Sequence, residues 1–278
     1  MRLKSIRHSR NIEDRRRSGG KGAVRIGGVG LLVILAIGYF AGIDVSPLLD
    51  EVAAPQQSVD RELTEEERRA GEFSAAVLRT TETVWAQVFE DQLGRAYSPP
   101  TLVLFAGVTQ SPCGGASGAT GPFYCPADRK AYLDTQFFAT LSRQLGAKGD
   151  FAAAYVIAHE VAHHVQNELG ILGQVNQIRQ SASQTEANAL TVRLELQADC
   201  LSGVWAREVR DLMQGGDLEE ALNAARMIGD DHLQRRAGKV PQPHTFTHGT
   251  SKQRASWFKR GFDSGDLSRC DTFAAKRL

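Results

Sequence analysis

His159-Glu160-Val161-Ala162-His163 is the stretch that decides how this chain of 278 residues is read. Two histidines four residues apart lie one above the other on one helix face, close enough to hold a single metal ion. Imidazole nitrogen suits zinc, and a hydrolytic zinc site takes three protein ligands and leaves a fourth position to water. The glutamate beside the first histidine then stands where it can take that water's proton. Ahead of the motif, Asp150 reads as an N-cap, and Phe151-Ala152-Ala153-Ala154-Tyr155-Val156-Ile157-Ala158 favours helix; behind it, Gly170 is a stop signal. Val156, Ile157, Val161 and Ala162 flank the histidines with apolar side chains, as a buried helix needs. A solvated amphipathic helix would not bed histidine and glutamate in such a run. Tyr155 falls on the same stripe, where it packs above His159. His164 points about a third of a turn away and is left out of the site.

Two histidines do not complete a zinc site. Downstream, Leu194-Glu195-Leu196-Gln197-Ala198-Asp199-Cys200 lies in a second helical pattern over residues 184–213. Glu195 and Asp199 are one turn apart and share a face. One carboxylate can bind zinc, and the other can accept the free N–H of a ligating histidine and so fix its tautomer. Glu195 is the expected third ligand and Asp199 its support. Taken alone, the two carboxylates would read as solvated charges paired with Arg193 or Arg207; the upstream motif tips the balance.

Elsewhere helix alternates with short strands. Thr64-Glu65-Glu66-Glu67 reads as a capping box opening a helix over residues 64–92, with Phe73, Val77, Val84, Trp85, Val88 and Phe89 on one apolar face. Thr101-Leu102-Val103-Leu104-Phe105 reads as a buried strand. Phe123-Tyr124-Cys125 and Lys130-Ala131-Tyr132-Leu133-Asp134 read as shorter strands around a turn at Pro126-Ala127-Asp128-Arg129. Residues 218–236 read as one helix with Asp230, Asp231 and His232 on its solvated face. After Pro241 and Pro243 come His244 and His248, then Thr250 or Ser251 as cap of a last helix bearing Arg254, Trp257 and Phe258. The expected fold is α+β, dominated by helix, with a small sheet.

From about Arg61 to its C-terminus the chain resembles the neutral zinc metallopeptidases, a bacterial envelope family of the zincin group. The resemblance rests on His159 to His163 with the following His164-Val165-Gln166, and on Leu194 to Cys200. It rests also on Phe246-Thr247-His248-Gly249-Thr250-Ser251 leading to Trp257-Phe258, and a Gly-rich segment before a single apolar span fits too. It implies a zincin-like domain with one Zn2+ per chain, acting on a peptide or protein substrate that an edge strand holds by backbone pairing. The later Glu-x-x-x-Asp looks like the glutamate-ligand branch that includes thermolysin. In that branch a histidine in a loop beyond the third ligand stabilises the oxyanion, which singles out His248 over His244 as a catalytic candidate. A bond from His248 to backbone at a helix start accounts for it equally well.

Residues 26–43 carry no charge and are just long enough to span a bilayer. Nine Lys/Arg precede them against Glu13 and Asp14. The positive-inside rule therefore places a basic leader, residues 1–25, in the cytoplasm and the metallopeptidase domain, residues 62–278, outside, beyond a tether at 44–61. The long charged leader and the lack of a small-x-small site after Phe40 favour an uncleaved signal anchor over a signal peptide. Arg15-Arg16-Arg17 then reads as plain positive-inside charge, facing anionic lipid. The chain's net +1 divides into a leader of +7 and a remainder of −6, which offers nucleic acid no basic surface on the domain. All four cysteines follow the span, as suits an oxidising compartment. Three pairings are open; the short Gly/Ser-rich loop favours Cys113 with Cys125, leaving Cys200 with Cys270.

Besides metal-dependent hydrolysis of a non-peptide bond of the envelope, which the motif also permits, two functions compete on these residues. One is zinc-assisted peptide hydrolysis in the cell envelope with Glu160 as general base. The other is a non-catalytic envelope protein that binds a partner on a zincin fold with structural zinc. Glu160 favours the first, because a structural zinc needs no base.

Overall fold

The computed structural model describes residues 1–17, 62–117, 121–143 and 146–278. The predicted span at 26–43 and tether at 44–61 lie outside the described residues. Among the described residues, no helix is long and apolar enough to cross a membrane.

The chain opens with a short strand, β1 (Ile12–Asp14), and a long helix, α1 (Glu65–Leu93). The capping box forms as expected: the Thr64 hydroxyl accepts from the Glu67 amide, and the Glu67 carboxylate accepts from the Thr64 amide. Strands β2 (Thr101–Phe105), β3 (Val108–Ser111), β4 (Gly114–Ser117), β5 (Phe123–Cys125) and β6 (Lys130–Asp134) follow, then α2 (Phe137–Arg143). The HExxH helix is α3 (Asp150–Glu168); beyond it come α4 (Ile171–Arg179) and α5 (Gln184–Glu208). The remainder is α6 (Asp217–Met227), α7 (Asp230–Arg236) and α8 (Ser251–Ser264).

Three local expectations change. The Gly/Ser-rich loop is the β3–β4 hairpin, antiparallel from Val108↔Ser117 to Ser111↔Gly114. Residues 218–236 form two helices broken at Gly229, where the Ser251 backbone packs so close that a Cβ would lie 2.3 Å from its amide nitrogen. Gly149 rather than Asp150 precedes α3, and the Phe151 amide is taken instead by the Glu220 carboxylate at 3.0 Å.

The main sheet runs β1-β2-β6-β5, with β1, β2 and β6 parallel and β5 antiparallel at the edge. Leu102 to Phe105 are buried on both faces, which is why β2 is an unbroken apolar run rather than an alternating one. Helix α3 is apolar nearly all round for the same reason: β5, β6, α1, α5 and α6 all pack against it. The predicted α1 face supplies Val77, Trp85, Val88 and Phe89 to that core. Helix α8 lies backbone to backbone on α5 because both helices carry glycine at the crossing. A Cβ on Gly203 would fall 2.0 Å from the Phe258 carbonyl, and one on Gly261 1.8 Å from the Cys200 carbonyl.

Both expected disulfides form, Cys113–Cys125 and Cys200–Cys270. The second joins residues 70 apart, a closure worth about 4 kcal/mol in unfolded-chain entropy.

The largest correction concerns the leader. Residues 1–17 are not a separate element but an arm of the same folded body. Strand β1 pairs with β2 (Ile12↔Leu102 to Asp14↔Leu104), and Asn11 donates to the Glu82 carboxylate of α1 at 2.7 Å. The buried Arg16 guanidinium pairs with Asp14 at 2.6 Å and donates to the Glu67 carbonyl. It fills the space beside Gly71, where a Cβ would be 2.4 Å from Arg16 Nη2. Arg15 likewise bonds Thr109 and the Gln110 carbonyl, so neither arginine is spare charge for lipid. Strands of one sheet share one side of a hydrocarbon core about 30 Å thick. A leader left on the far side of a single crossing is therefore incompatible with this pairing. Cysteines introduced by Arg10→Cys and Glu66→Cys, both at exposed positions, are expected to label from the same side of the membrane with an impermeant maleimide. Labelling from opposite sides would undo the arm's placement.

Candidate active site

Helix α3 presents His159 and His163 one turn apart, and α5 crosses it so that Glu195 faces both. Glu195 Oε2 lies 3.1 Å from His159 Nε2, and Oε1 lies 3.4 Å from His163 Nε2. One donor atom from each of the three residues falls within 4.8 Å of the others. Ligands on a tetrahedral ion with bonds near 2.0–2.2 Å stand about 3.3–3.4 Å apart, so the donor set fits zinc in both chemistry and spacing. Electrostatics agree. Burial works against charge on His159, but Asp199 and Glu195 outweigh it and push its pKa up to about 10. Burial would raise Glu195 too, yet His163 and His159 hold its carboxyl well below the usual range. The pocket is built to hold positive charge.

Each histidine also has a partner behind it. Asp199 Oδ1 lies 3.0 Å from His159 Nδ1, off the line of a full hydrogen bond, and so favours a proton on Nδ1 and leaves Nε2, on the Glu195 side, as the nitrogen that exchanges its proton for a metal. Asp199 is itself fixed: Arg254 donates through Nε at 2.8 Å and Nη2 at 2.9 Å, and the Tyr155 hydroxyl donates at 2.5 Å. Burial alone would raise the Asp199 carboxyl; Arg254 outweighs it and holds it below the usual range. For His163 the partner is Gln166, whose Oε1 is 2.9 Å from Nδ1 while its Nε2 donates to the Leu194 carbonyl and Gln197 Oε1. The amide's own donors are spent on α5, so its oxygen must accept from His163.

Arg254→Met would leave the Asp199 carboxylate buried without its counter-charge. Denaturant unfolding of the metal-free protein is expected to show a loss of about 3–5 kcal/mol. Zinc affinity, read by chelator competition, should fall about 10–100-fold through His159.

The site opens on a cleft of about 890 Å³, within the range of ligand pockets. Glu160 lines it beside the histidines, and so do Phe123 and Tyr124 of the β5 edge strand. Burial pushes the Glu160 carboxyl up, against the pull of His163 and His159. His248 is on the rim, half-exposed, with Nδ1 at 3.0 Å from Thr247 Oγ1 and 3.3 Å from Asp230 Oδ1.

Asp230 departs from the solvated helix face expected of it. It is no solvated charge: Oδ2 accepts from the amides of Thr247, His248 and Gly249 at 2.7, 2.6 and 2.9 Å. Asp231 does the same for Ser251 at 2.7 Å. Together they hold the loop that carries His248. Burial would raise Asp230, but the His248 ring and these amides keep it low. His232 and His244 take no part in the cleft wall. Arg254 and Gln166 were legible as residues of conspicuous segments but not as partners, since nothing in the one-dimensional spacing joins them to Asp199 or His163.

A helix bearing HExxH, a second helix bearing a glutamate and an edge strand alongside meet at one cleft in a helix-dominated α+β fold. The chain belongs to the family described as "Putative neutral zinc metallopeptidase", whose profile matches residues 1–273, the arm included. It is similar to the protein YpfJ of Escherichia coli (strain K12), named as uncharacterized, at 48% identity over 98% of this chain and 99% of that protein. It is also similar to the protein Rv2575 of Mycobacterium tuberculosis, likewise named as uncharacterized, at 44% identity over 66% of this chain and 65% of that one. No solved structure matches the chain.

Proposed function

We propose that the protein is a zinc-dependent peptidase. The observation that carries the reading is the convergence of His159 Nε2, His163 Nε2 and the Glu195 carboxylate beside Glu160, in a cleft walled by an edge strand. His159, His163 and Glu195 would hold one zinc per chain, which supplies Lewis acidity toward water and the scissile carbonyl. Glu160 takes the proton of the attacking water and passes it to the departing amine, so each turnover returns the carboxylate to its starting state. As an imidazolium, with Nδ1–H held by Asp230, His248 donates to the developing oxyanion through Nε2. Strand β5 offers its free edge to an extended substrate backbone. A structural metal would have no use for a glutamate at Glu160's place.

The two disulfides support an oxidising compartment outside the cytoplasm, in the cell envelope. The arm, being a strand of the same sheet, would share that compartment. Attachment to the membrane through residues 26–43 belongs to the same proposal, by a segment that enters and leaves on one side, since the arm before it and the domain after it share a sheet.

The test is digestion of a peptide library by purified protein loaded with one equivalent of zinc, with products read by mass spectrometry. Cleavage that stops on chelation and returns with zinc is the expected result. Zinc-loaded protein that cleaves nothing would overturn the reading.

A further inference from the structure

His164 follows a metal ligand directly, yet it faces away from the metal site and its side chain is fully buried. Its Nε2 is 2.7 Å from the Ser98 carbonyl, which can only accept, so Nε2 carries the proton. Its Nδ1 is then a bare acceptor, and 2.9 Å away stands the Tyr124 hydroxyl, which must donate. One tautomer and one direction satisfy all three groups. The rings of Tyr97 and Tyr124 close edge-on about the imidazole, at 5.7 and 5.4 Å between centroids.

Tyr124 is the middle residue of β5, a three-residue strand at the edge of the sheet, and it lines the cleft. A strand that short, paired on one side only, holds its place weakly by its own ladder. A second tie runs parallel to the first: Arg129, in the β5–β6 turn, pairs with Glu168 at the end of α3 at 2.5 Å. The helix that carries the histidine ligands is thus fastened to the strand on the cleft wall at two points, one beside His163 and one a turn later.

We propose that His164 and Tyr124 are positioning residues that set the gap between the metal ligands and the β5 edge, and with it the register in which an extended peptide meets the site. This rests on the peptidase reading above. Removing the tie leaves the metal ligands and their partners Asp199 and Gln166 untouched but lets the edge strand drift. Binding that uses metal alone should not notice, whereas binding that also uses the strand should weaken.

Two probes separate these cases in zinc-loaded protein: acetohydroxamate, which reaches only the metal, and a peptidyl hydroxamate, which also lies along the strand. Tyr124→Phe, which deletes one oxygen and strands a buried acceptor, is expected to keep one zinc and its acetohydroxamate affinity while weakening the peptidyl hydroxamate about tenfold. His164→Leu should behave the same. His164→Gln, whose amide can accept from Tyr124 and donate to Ser98, should hold the peptidyl probe within about threefold of wild type, a difference of under about 1 kcal/mol. Unchanged peptidyl affinity in Tyr124→Phe, equal loss of both probes, or identical behaviour of the Gln and Leu variants would each overturn the proposal. Should Tyr124→Phe fail to fold, the Gln and Leu comparison decides it. Wild type that binds neither probe, or binds both alike, would instead strike the peptidase reading itself.

Discussion

Glu160→Gln is expected to leave a folded protein with its zinc intact and to cut kcat on any cleaved peptide by about 10²–10⁴-fold. Glutamine matches glutamate in shape and can still fill the cleft wall beside His159 and His163. It cannot take a proton from water or deliver one to an amine. KM should change little, because the lost interaction belongs to the transition state rather than to substrate binding. Metal analysis, thermal melting and steady-state kinetics on one preparation are sufficient. A variant with wild-type kcat would remove Glu160 from the chemistry.

Glu195→Ala should have the second large effect, on the metal rather than on the proton. It removes the carboxylate that faces both Nε2 atoms at 3.1 and 3.4 Å and leaves two histidines. Partners behind a ligand are typically worth 10–100-fold in affinity, so loss of the ligand itself should weaken zinc by about 100-fold or more. Elemental analysis after dialysis is expected to find far less than one zinc per chain, with hydrolysis lost in step. Unchanged zinc content would put the third ligand elsewhere. The wild type carries a related signature in pH. With His159 raised to about 10, the metal-free site holds a proton that zinc must displace. Zinc affinity should therefore rise as pH rises, levelling only near that value. A flat profile from pH 6 to 9 would contradict this charge balance.

Much of this protein is written locally. The HExxH pair needs only the 3.6-residue period of a helix to bring His159 and His163 together, and Glu195 to Asp199 needs only the same period again. Capping at Thr64, the apolar run of β2 and the face of α1 are likewise local matters of hydrogen-bond supply and burial. Even the disulfides follow from loop length and elimination. These features are legible because the residues that interact are near neighbours in the chain or leave no alternative.

What the chain order hid depends on contacts between distant segments. The arm's strand is three residues, Ile12-Glu13-Asp14, whose charges give no strand pattern. It exists because β2 offers an edge and because Gly71 leaves room for Arg16. Asp230 reads as surface charge until the break at Gly229 turns it toward the loop of His248, 18 residues on. Arg254 reaches Asp199 because Gly203 and Gly261 let two helices touch along their backbones, and His164 finds Tyr124 at a sequence separation of 40. Periodicity fixes which residues share a face of one helix. Only packing fixes which faces meet, and the second layer of this site is made where they do.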